Sequence, residues 1–199
     1  MNELRPTTFD TIIGQTDVVD QLKITAKSVG IRNDVFPHTL FNGPPGLGKT
    51  TLARALAEEL GKKILIANGA NIPNLKAMMP YVMKLQEGEI LFVDEIHSLP
   101  TNVQEFLFPV MEDYRVDLSD GKKTTSIDIP RFTMIGATTE AGSLLAPLKD
   151  RFQKRVSLEI YSDDEMYEIL KSSASKLSLK VNDDALKELA SRTRGVPRI

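Results

Sequence analysis

Short apolar runs alternate along the chain with stretches whose apolar residues recur at helical spacing. The runs Thr39–Asn42, Lys63–Asn68, Glu89–Val93, Thr133–Gly136 and Val156–Ile160 predict strands. Helical spacing is expected from Asp17 to about Val29, from Lys49 to about Leu60, and over Thr101–Glu112. Strands separated by helices predict an α/β domain with a mainly parallel five-stranded sheet and helices on both sides. In the third helix Thr101 is a candidate cap, with Gln104 three residues on. Pro109 should kink that helix, and Pro80 should break the weaker pattern over Asn74–Leu85.

Two features interrupt the alternation. Arg115–Leu118 and Thr125–Ile129 flank Ser119-Asp120-Gly121-Lys122-Lys123, and alternating residues around an Asp-Gly turn read as a β-hairpin projecting from the sheet. After about Tyr161 the pattern becomes helical. Met166, Ile169, Leu170, Ala174 and Leu177 share one spacing, and Ala185, Leu186, Leu189 and Ala190 share another behind a cap at Asn182 or Asp183. The expected organisation is therefore a large domain over residues 1–161. The start of a small helical lid follows over 162–199 and reads as cut short.

Composition narrows the chemistry. The chain has 199 residues, with 25 Lys and Arg against 27 Asp and Glu, so the net charge is -2. That balance counts against a large DNA-binding surface built into these residues. There is no cysteine, which excludes disulfides, thiol nucleophiles and Cys-based metal sites. His38 and His97 are the only histidines, too few for a His-rich metal centre. No apolar run reaches the roughly 20 residues of a membrane span, and no signal peptide is evident at the N-terminus. A cytoplasmic protein with no membrane role is expected.

The sharpest motif is Gly43-Pro44-Pro45-Gly46-Leu47-Gly48-Lys49-Thr50, which matches G-x-x-x-x-G-K-[ST] between a strand and a helix. Backbone N–H groups from Gly46 through Thr51, beyond Pro45, and the positive helix end suit phosphate charge. Lys49 should reach the β- and γ-phosphates, and the Thr50 hydroxyl should ligate Mg²⁺. The strand Ile90–Val93 runs into Asp94 and Glu95, at the end where parallel sheets bind ligands. Asp94 suits Mg²⁺ and Glu95 suits activation of a water. His97 reads as a structural or relay residue.

Asp94-Glu95-Ile96-His97 invites comparison with DEAH-box helicases, whose phosphate loop is usually a shorter G-x-G-K-T. The loop with its Pro-Pro instead resembles the AAA+ ATPases, and among them the RuvB family of Holliday-junction branch-migration motors. The resemblance rests on Leu4-Arg5-Pro6, Ile13-Gly14-Gln15, Gly43–Ala53, Ile90–His97, Met111-Glu112-Asp113-Tyr114 and Phe132–Thr139. It continues through Pro147–Phe152, Leu158–Tyr161 and Gly195–Ile199. It implies MgATP hydrolysis in a homo-oligomeric ring, expected to be a hexamer. It places Leu4, Arg5, Ile13 and Gly14 over the adenine, and Tyr161 near it, unless Tyr161 is simply core. Thr139 would be the polar sensor beside the γ-phosphate, with Thr138 the competing choice. Arg151 would be a finger inserted into the neighbour's site, and Arg198 a second sensor on the lid. Glu112, Asp113 and Tyr114 would touch nucleotide across the subunit boundary, or else form only a helix end leading into the hairpin. In the family the hairpin contacts RuvA, a junction-binding protein, so residues 115–129 are the candidate partner surface.

There are departures. The hairpin is shorter than usual and carries Lys122-Lys123 where the family tends to have Gly-Pro. Lys149 stands where Arg is usual. The family's winged-helix DNA-binding domain is missing, so the chain reads as a fragment or a reduced relative, and four-way junction DNA would be held by absent parts. The alternative is a clamp-loader-like AAA+ ATPase remodelling a protein, although the usual Ser-Arg-Cys finger motif is missing. An inactive ATP-binding scaffold is a third reading, opposed by intact Lys49, Asp94, Glu95 and Arg151.

Overall fold

A computed structural model describes residues 4–119 and 124–198. The elements are, in chain order, α1 (Thr16–Arg32), β1 (Thr39–Asn42), α2 (Lys49–Glu59), β2 (Ile64–Asn68), α3 (Leu75–Val82), β3 (Ile90–Asp94), α4 (Thr101–Glu112), β4 (Arg115–Ser119) and β5 (Thr124–Asp128). They continue with β6 (Thr133–Thr138), α5 (Ala146–Asp150), β7 (Lys154–Ser157), α6 (Asp163–Lys176) and α7 (Asp183–Arg192). The main sheet has the order β2-β3-β6-β1-β7, and all its pairings are parallel. The carboxyl ends of β1, β6 and β3 therefore lie side by side, which concentrates the loops that follow them at one edge of the domain.

Side-chain alternation divides the sheet into two faces. Phe41, Ile90, Phe92, Ile135 and Ala137 pack with α1 and α2. Leu40, Leu91, Val93 and Met134 pack on the other side with α3 and α4. All these side chains are buried, so the strands carry apolar residues on both faces, as parallel strands between helices require. The lid joins the first cluster through Tyr161, Met166 and Ala190. Its first helix starts on a capping box: Ser162 Oγ accepts from the Glu165 N–H, and Glu165 accepts from the Ser162 N–H. Asn182 caps α7 by accepting from the Ala185 N–H.

Several expected boundaries are corrected. The last strand ends at Ser157 rather than Ile160, because β1 supplies partners only as far as Asn42, opposite Ser157. Leu158 is buried, and its N–H still donates to the Asn42 carbonyl at 2.8 Å, but Ile160 is exposed, so the alternation of burial ends where the chain leaves the sheet. β6 runs on to Thr138, two residues past the expected stop. After β6 a turn over Ala141–Ser143 precedes the short helix α5, which begins at Ala146. Pro100, not Thr101, precedes α4, and Gln104 instead donates to the Leu99 carbonyl and accepts from the Leu145 N–H.

Pro80 and Pro109 lie inside α3 and α4 without ending them. The residues four positions earlier, Lys76 and Glu105, are exposed, so water can satisfy the carbonyls those prolines leave free. β4 and β5 form the expected antiparallel hairpin, while its turn at Asp120–Lys123 lies outside the described residues, as does Ile199.

Candidate nucleotide-binding site

The loop between β1 and α2 curls because its glycines accept a left-handed backbone. Gly46 has φ +87° and Gly48 φ +92°. A side chain at Gly46 would also meet Val196 at 2.7 Å, so this loop and the lid approach each other closely. Lys49 is buried at the start of α2. Its Nζ donates to the carbonyls of Gly43 (2.7 Å) and Pro44 (2.8 Å), spanning the loop it follows. Burial holds its ammonium below the usual lysine range; Arg198 pushes the same way, while Asp94 and Glu95 oppose it. Two cations and two carboxylates thus act on one another around the loop.

Asp94 ends β3 and accepts the Glu95 N–H at 3.1 Å. Glu95 turns out of the strand with φ +48° and ψ +46°, a conformation costing about 1–3 kcal/mol for a side-chain-bearing residue. The turn leaves Glu95 exposed beside the loop rather than buried in line with β3.

One cleft of about 520 Å³ runs between the large domain and the lid. Of the sequence-predicted residues, Leu4, Arg5, Ile13, Pro45, Gly46, Gly48, Lys49, Thr50, Thr51, Asp94, Glu95, Thr139, Tyr161 and Arg198 line it. Leu47 does not: its side chain is fully buried in the core, which leaves only its backbone to the loop. Gly14 sits behind the cleft, where an added Cβ would collide with the Tyr161 ring at 2.7 Å. Tyr161 is itself buried, and its hydroxyl donates to the Leu47 carbonyl at 3.4 Å. Burial pushes that hydroxyl above its usual range.

Both candidate threonines border the cleft, but they differ in burial. Thr138 is buried, accepts from the Glu140 N–H and pairs with His97 Nδ1, both at 2.9 Å. Thr139 is exposed on the cleft. His97 thus has a structural partner, as its sequence reading allowed.

Glu112, Asp113, Tyr114 and Arg151 lie outside the cleft. Glu112 and Arg151 form an ion pair, and with Met111, Tyr114, Asp150 and Gln153 they line a second cleft of about 390 Å³ that shares no residue with the first. Asp113 pairs with Arg115 of the hairpin at 3.6 Å. The Tyr114 ring packs edge-on against Phe132 at 6.0 Å and near His38 at 6.1 Å.

Sequence reasoning missed the contribution of α6. Ser172, Ser173 and Lys176 line the end of the main cleft opposite Leu4 and Pro6, and Lys176 Nζ donates to the Leu4 carbonyl at 3.5 Å. Their helical spacing is visible in the sequence, but only the packing of the lid turns them inward.

The residues suit a magnesium nucleotide. The loop offers a lysine and a helix start to phosphate, while Thr50 and Asp94 supply the hard oxygen donors that Mg²⁺ takes. The fold and the cleft together define a P-loop domain of AAA+ architecture with a helical lid. A family model described as the Holliday junction DNA helicase RuvB P-loop domain matches residues 4–158, and the RuvB AAA lid domain matches 161–199. The chain belongs to the RuvB family. It is 42% identical over 200 aligned positions to the Holliday junction branch migration complex subunit RuvB of Kosmotoga olearia and 44% identical to that of Campylobacter fetus. Each alignment covers 98% of this chain but 58% of the relative, so the chain spans less than two thirds of their length. The Thermotoga maritima RuvB Holliday junction branch migration motor superposes with a TM-score of 0.90 at 38% identity, covering 98% of this chain and 62% of that one.

Proposed function

We propose that the chain is the ATP-hydrolysing part of a RuvB-type motor that drives Holliday-junction branch migration in DNA recombination and repair. The observation that carries the reading is the convergence of Lys49, Thr50, Asp94, Glu95, Thr139 and Arg198 on one cleft, with Arg151 in another. ATP binds between the large domain and the lid, its phosphates on the loop and Lys49. Thr50 and Asp94 would hold Mg²⁺, which would offset phosphate charge. Glu95 takes a proton from a water as that water's oxygen bonds to the γ-phosphorus and the bond to the bridging oxygen breaks, releasing ADP and phosphate. Thr139 and Arg198 orient the γ-phosphate.

Arg151 serves the neighbouring subunit in a homo-oligomeric ring, a hexamer. Its guanidinium neutralises charge that develops on the phosphoryl oxygens, which is worth about 10³–10⁵ in rate for such fingers. The hairpin over 115–129 is the surface for a RuvA-like protein, and junction DNA is held by segments of the longer relatives that this chain does not span. The protein works in the cytoplasm. Among the described residues no helix is long and apolar enough to cross a membrane.

The test mixes two inactive variants. Arg151→Ala should bind ATP but hydrolyse little; Lys49→Ala should bind it poorly. In mixed assemblies some sites pair an intact loop with an intact finger, so hydrolysis should partly return. Mixed assemblies with no activity at any ratio refute the action of Arg151 across subunits.

A further inference from the structure

The Arg151 guanidinium is held within its own chain more thoroughly than a surface arginine needs to be. Nε donates to the Phe108 carbonyl at 3.2 Å, one terminal nitrogen donates to the Pro147 carbonyl at 2.7 Å, and the other donates to the Glu112 carboxylate. The plane lies over the Phe108 ring, 4.8 Å from its centroid. Among the described residues, three of the five N–H groups are thus donated inside the chain, and two are left for an outside acceptor.

The three anchors differ in kind. Two are backbone carbonyls fixed by α4 and α5. The third is a carboxylate at the last residue of α4 whose side chain is 59% exposed. Arg151 itself is the more buried partner, with its side chain 25% exposed, so Glu112 meets it from the solvent side. A carboxylate facing a triphosphate directly would repel it, so Glu112 can lie beside a neighbour's nucleotide only with a cation between them. That cation is at hand.

We infer that Glu112 is the positioning residue for Arg151: its carboxylate fixes the direction of the guanidinium, so that the finger reaches the subunit boundary already aimed. This rests on the reading of Arg151 as a group supplied to the neighbour's nucleotide. It gives Glu112 a role through its own chain's arginine rather than through contact with nucleotide. The Phe108 and Pro147 carbonyls hold Nε and one terminal nitrogen, and Glu112 holds the other, so the rigid guanidinium plane is locked only when all three anchors are made. A misplacement of about 1 Å in a catalytic group costs on the order of 10² in rate.

The experiment uses the hydrolysis assay and the same mixing scheme. Glu112→Ala should lower kcat roughly 10²-fold, with KM for ATP moved by less than about threefold, because the variant's own loop is intact. Glu112→Asp, which keeps the charge one methylene shorter, should recover part of the loss. The deciding readout is which partner restores activity. Glu112→Ala mixed with Lys49→Ala should regain hydrolysis, because the Lys49→Ala chain lends a correctly held Arg151 to the intact loop of its neighbour.

A merely structural defect in the Glu112→Ala chain would not be cured by its partner's finger. Parental kcat in Glu112→Ala overturns the inference. So does failure of the Glu112→Ala and Lys49→Ala mixture while the Arg151→Ala and Lys49→Ala mixture recovers. If both mixtures fail, action across subunits is what has failed, and the Glu112 role falls with it. Should Glu112→Ala not fold, Glu112→Gln carries the same comparison: it keeps the side-chain length and loses the charge.

Discussion

Gly69 is the residue through which the position of Glu95 can be tested without touching either carboxylate. It lies in the turn after β2, next to the end of β3, and its backbone angles suit any residue. A Cβ there would stand 2.4 Å from the Glu95 carbonyl oxygen and 3.1 Å from its carbonyl carbon, both backbone atoms. Ordinary contact begins at 3.4 Å, so Gly69→Ala must displace Glu95 or the turn by about 1 Å. Overpacking of this size costs about 1–3 kcal/mol of stability. A 1 Å error in the group that activates water costs on the order of 10² in rate. Gly69→Ala should therefore fold and bind ATP with near-parental affinity while kcat falls 10–100-fold, an order-of-magnitude expectation from the same effect.

The assay is steady-state hydrolysis at saturating ATP, with nucleotide affinity and urea unfolding measured on the same sample. Gly30→Ala is the control: nothing lies within 4 Å of its would-be Cβ, it sits within α1, and it should gain about 0.5–1 kcal/mol with no change in rate. Parental kcat in Gly69→Ala, with the fold intact, would mean that the placement of Glu95 does not limit the reaction.

Two further outcomes separate structure from chemistry. Thr139→Val should lower kcat with little change in stability, because that hydroxyl is exposed on the cleft; Thr138→Val should instead cost about 1–3 kcal/mol by stripping His97 of its partner, read by urea unfolding. His38 is buried, accepts the Met134 N–H at Nδ1 (2.8 Å) and donates from Nε2 to the Met111 carbonyl (2.9 Å), and burial lowers its pKa. The unfolded chain then binds the proton more readily, so stability should fall as pH drops through the ordinary histidine value near 6.5 and level off below the folded one. The slope is at most about 1.4 kcal/mol per pH unit. His38→Gln, which offers a neutral donor and acceptor, should remove that component from a stability–pH series; an unchanged series would refute the assignment.

The parts of the site that could be read from the sequence are those contiguous in it. The phosphate loop and the Asp94-Glu95 strand end are local patterns whose chemistry follows from spacing. Arg151, Thr139 and Arg198 carry no such local signal and entered only through the family resemblance. The expected stop of β6 at Gly136 hid the choice between Thr138 and Thr139. Because the strand runs through Thr138, that side chain is buried and its successor is the first to leave the sheet. Likewise Val156, Leu158 and Ile160 alternate in the sequence as a strand would, although the pairing with β1 ends at Ser157 and Ile160 is exposed. The inward face of α6 and the contact of Gly69 with Glu95 are consequences of packing between distant segments. No periodicity encodes them.

Burial sorts the site by role. Thr138 and Tyr161, which shape the surroundings of the loop, are buried and bonded to groups of their own chain, while Lys49, also buried, has one of its three N–H groups left beyond its two internal bonds. Gln15 extends that frame to the domain junction: its side-chain amide donates to the Glu159 carbonyl at 2.6 Å and accepts the Glu159 N–H at 3.2 Å. Glu95, Thr139 and Arg198 face the cleft from exposed positions, and Arg151 is tied in part to an exposed carboxylate. Groups that must meet a ligand or a neighbour cannot be fully satisfied within the chain, since every internal bond would have to be broken first. Groups that hold geometry must be, since a buried polar atom without a partner costs about 1–3 kcal/mol. The described residues contain no buried side-chain nitrogen or oxygen lacking a hydrogen bond. The unspent hydrogen-bonding capacity of the polar side chains is thus at the surface, and the proposed chemistry needs it at the cleft and on Arg151.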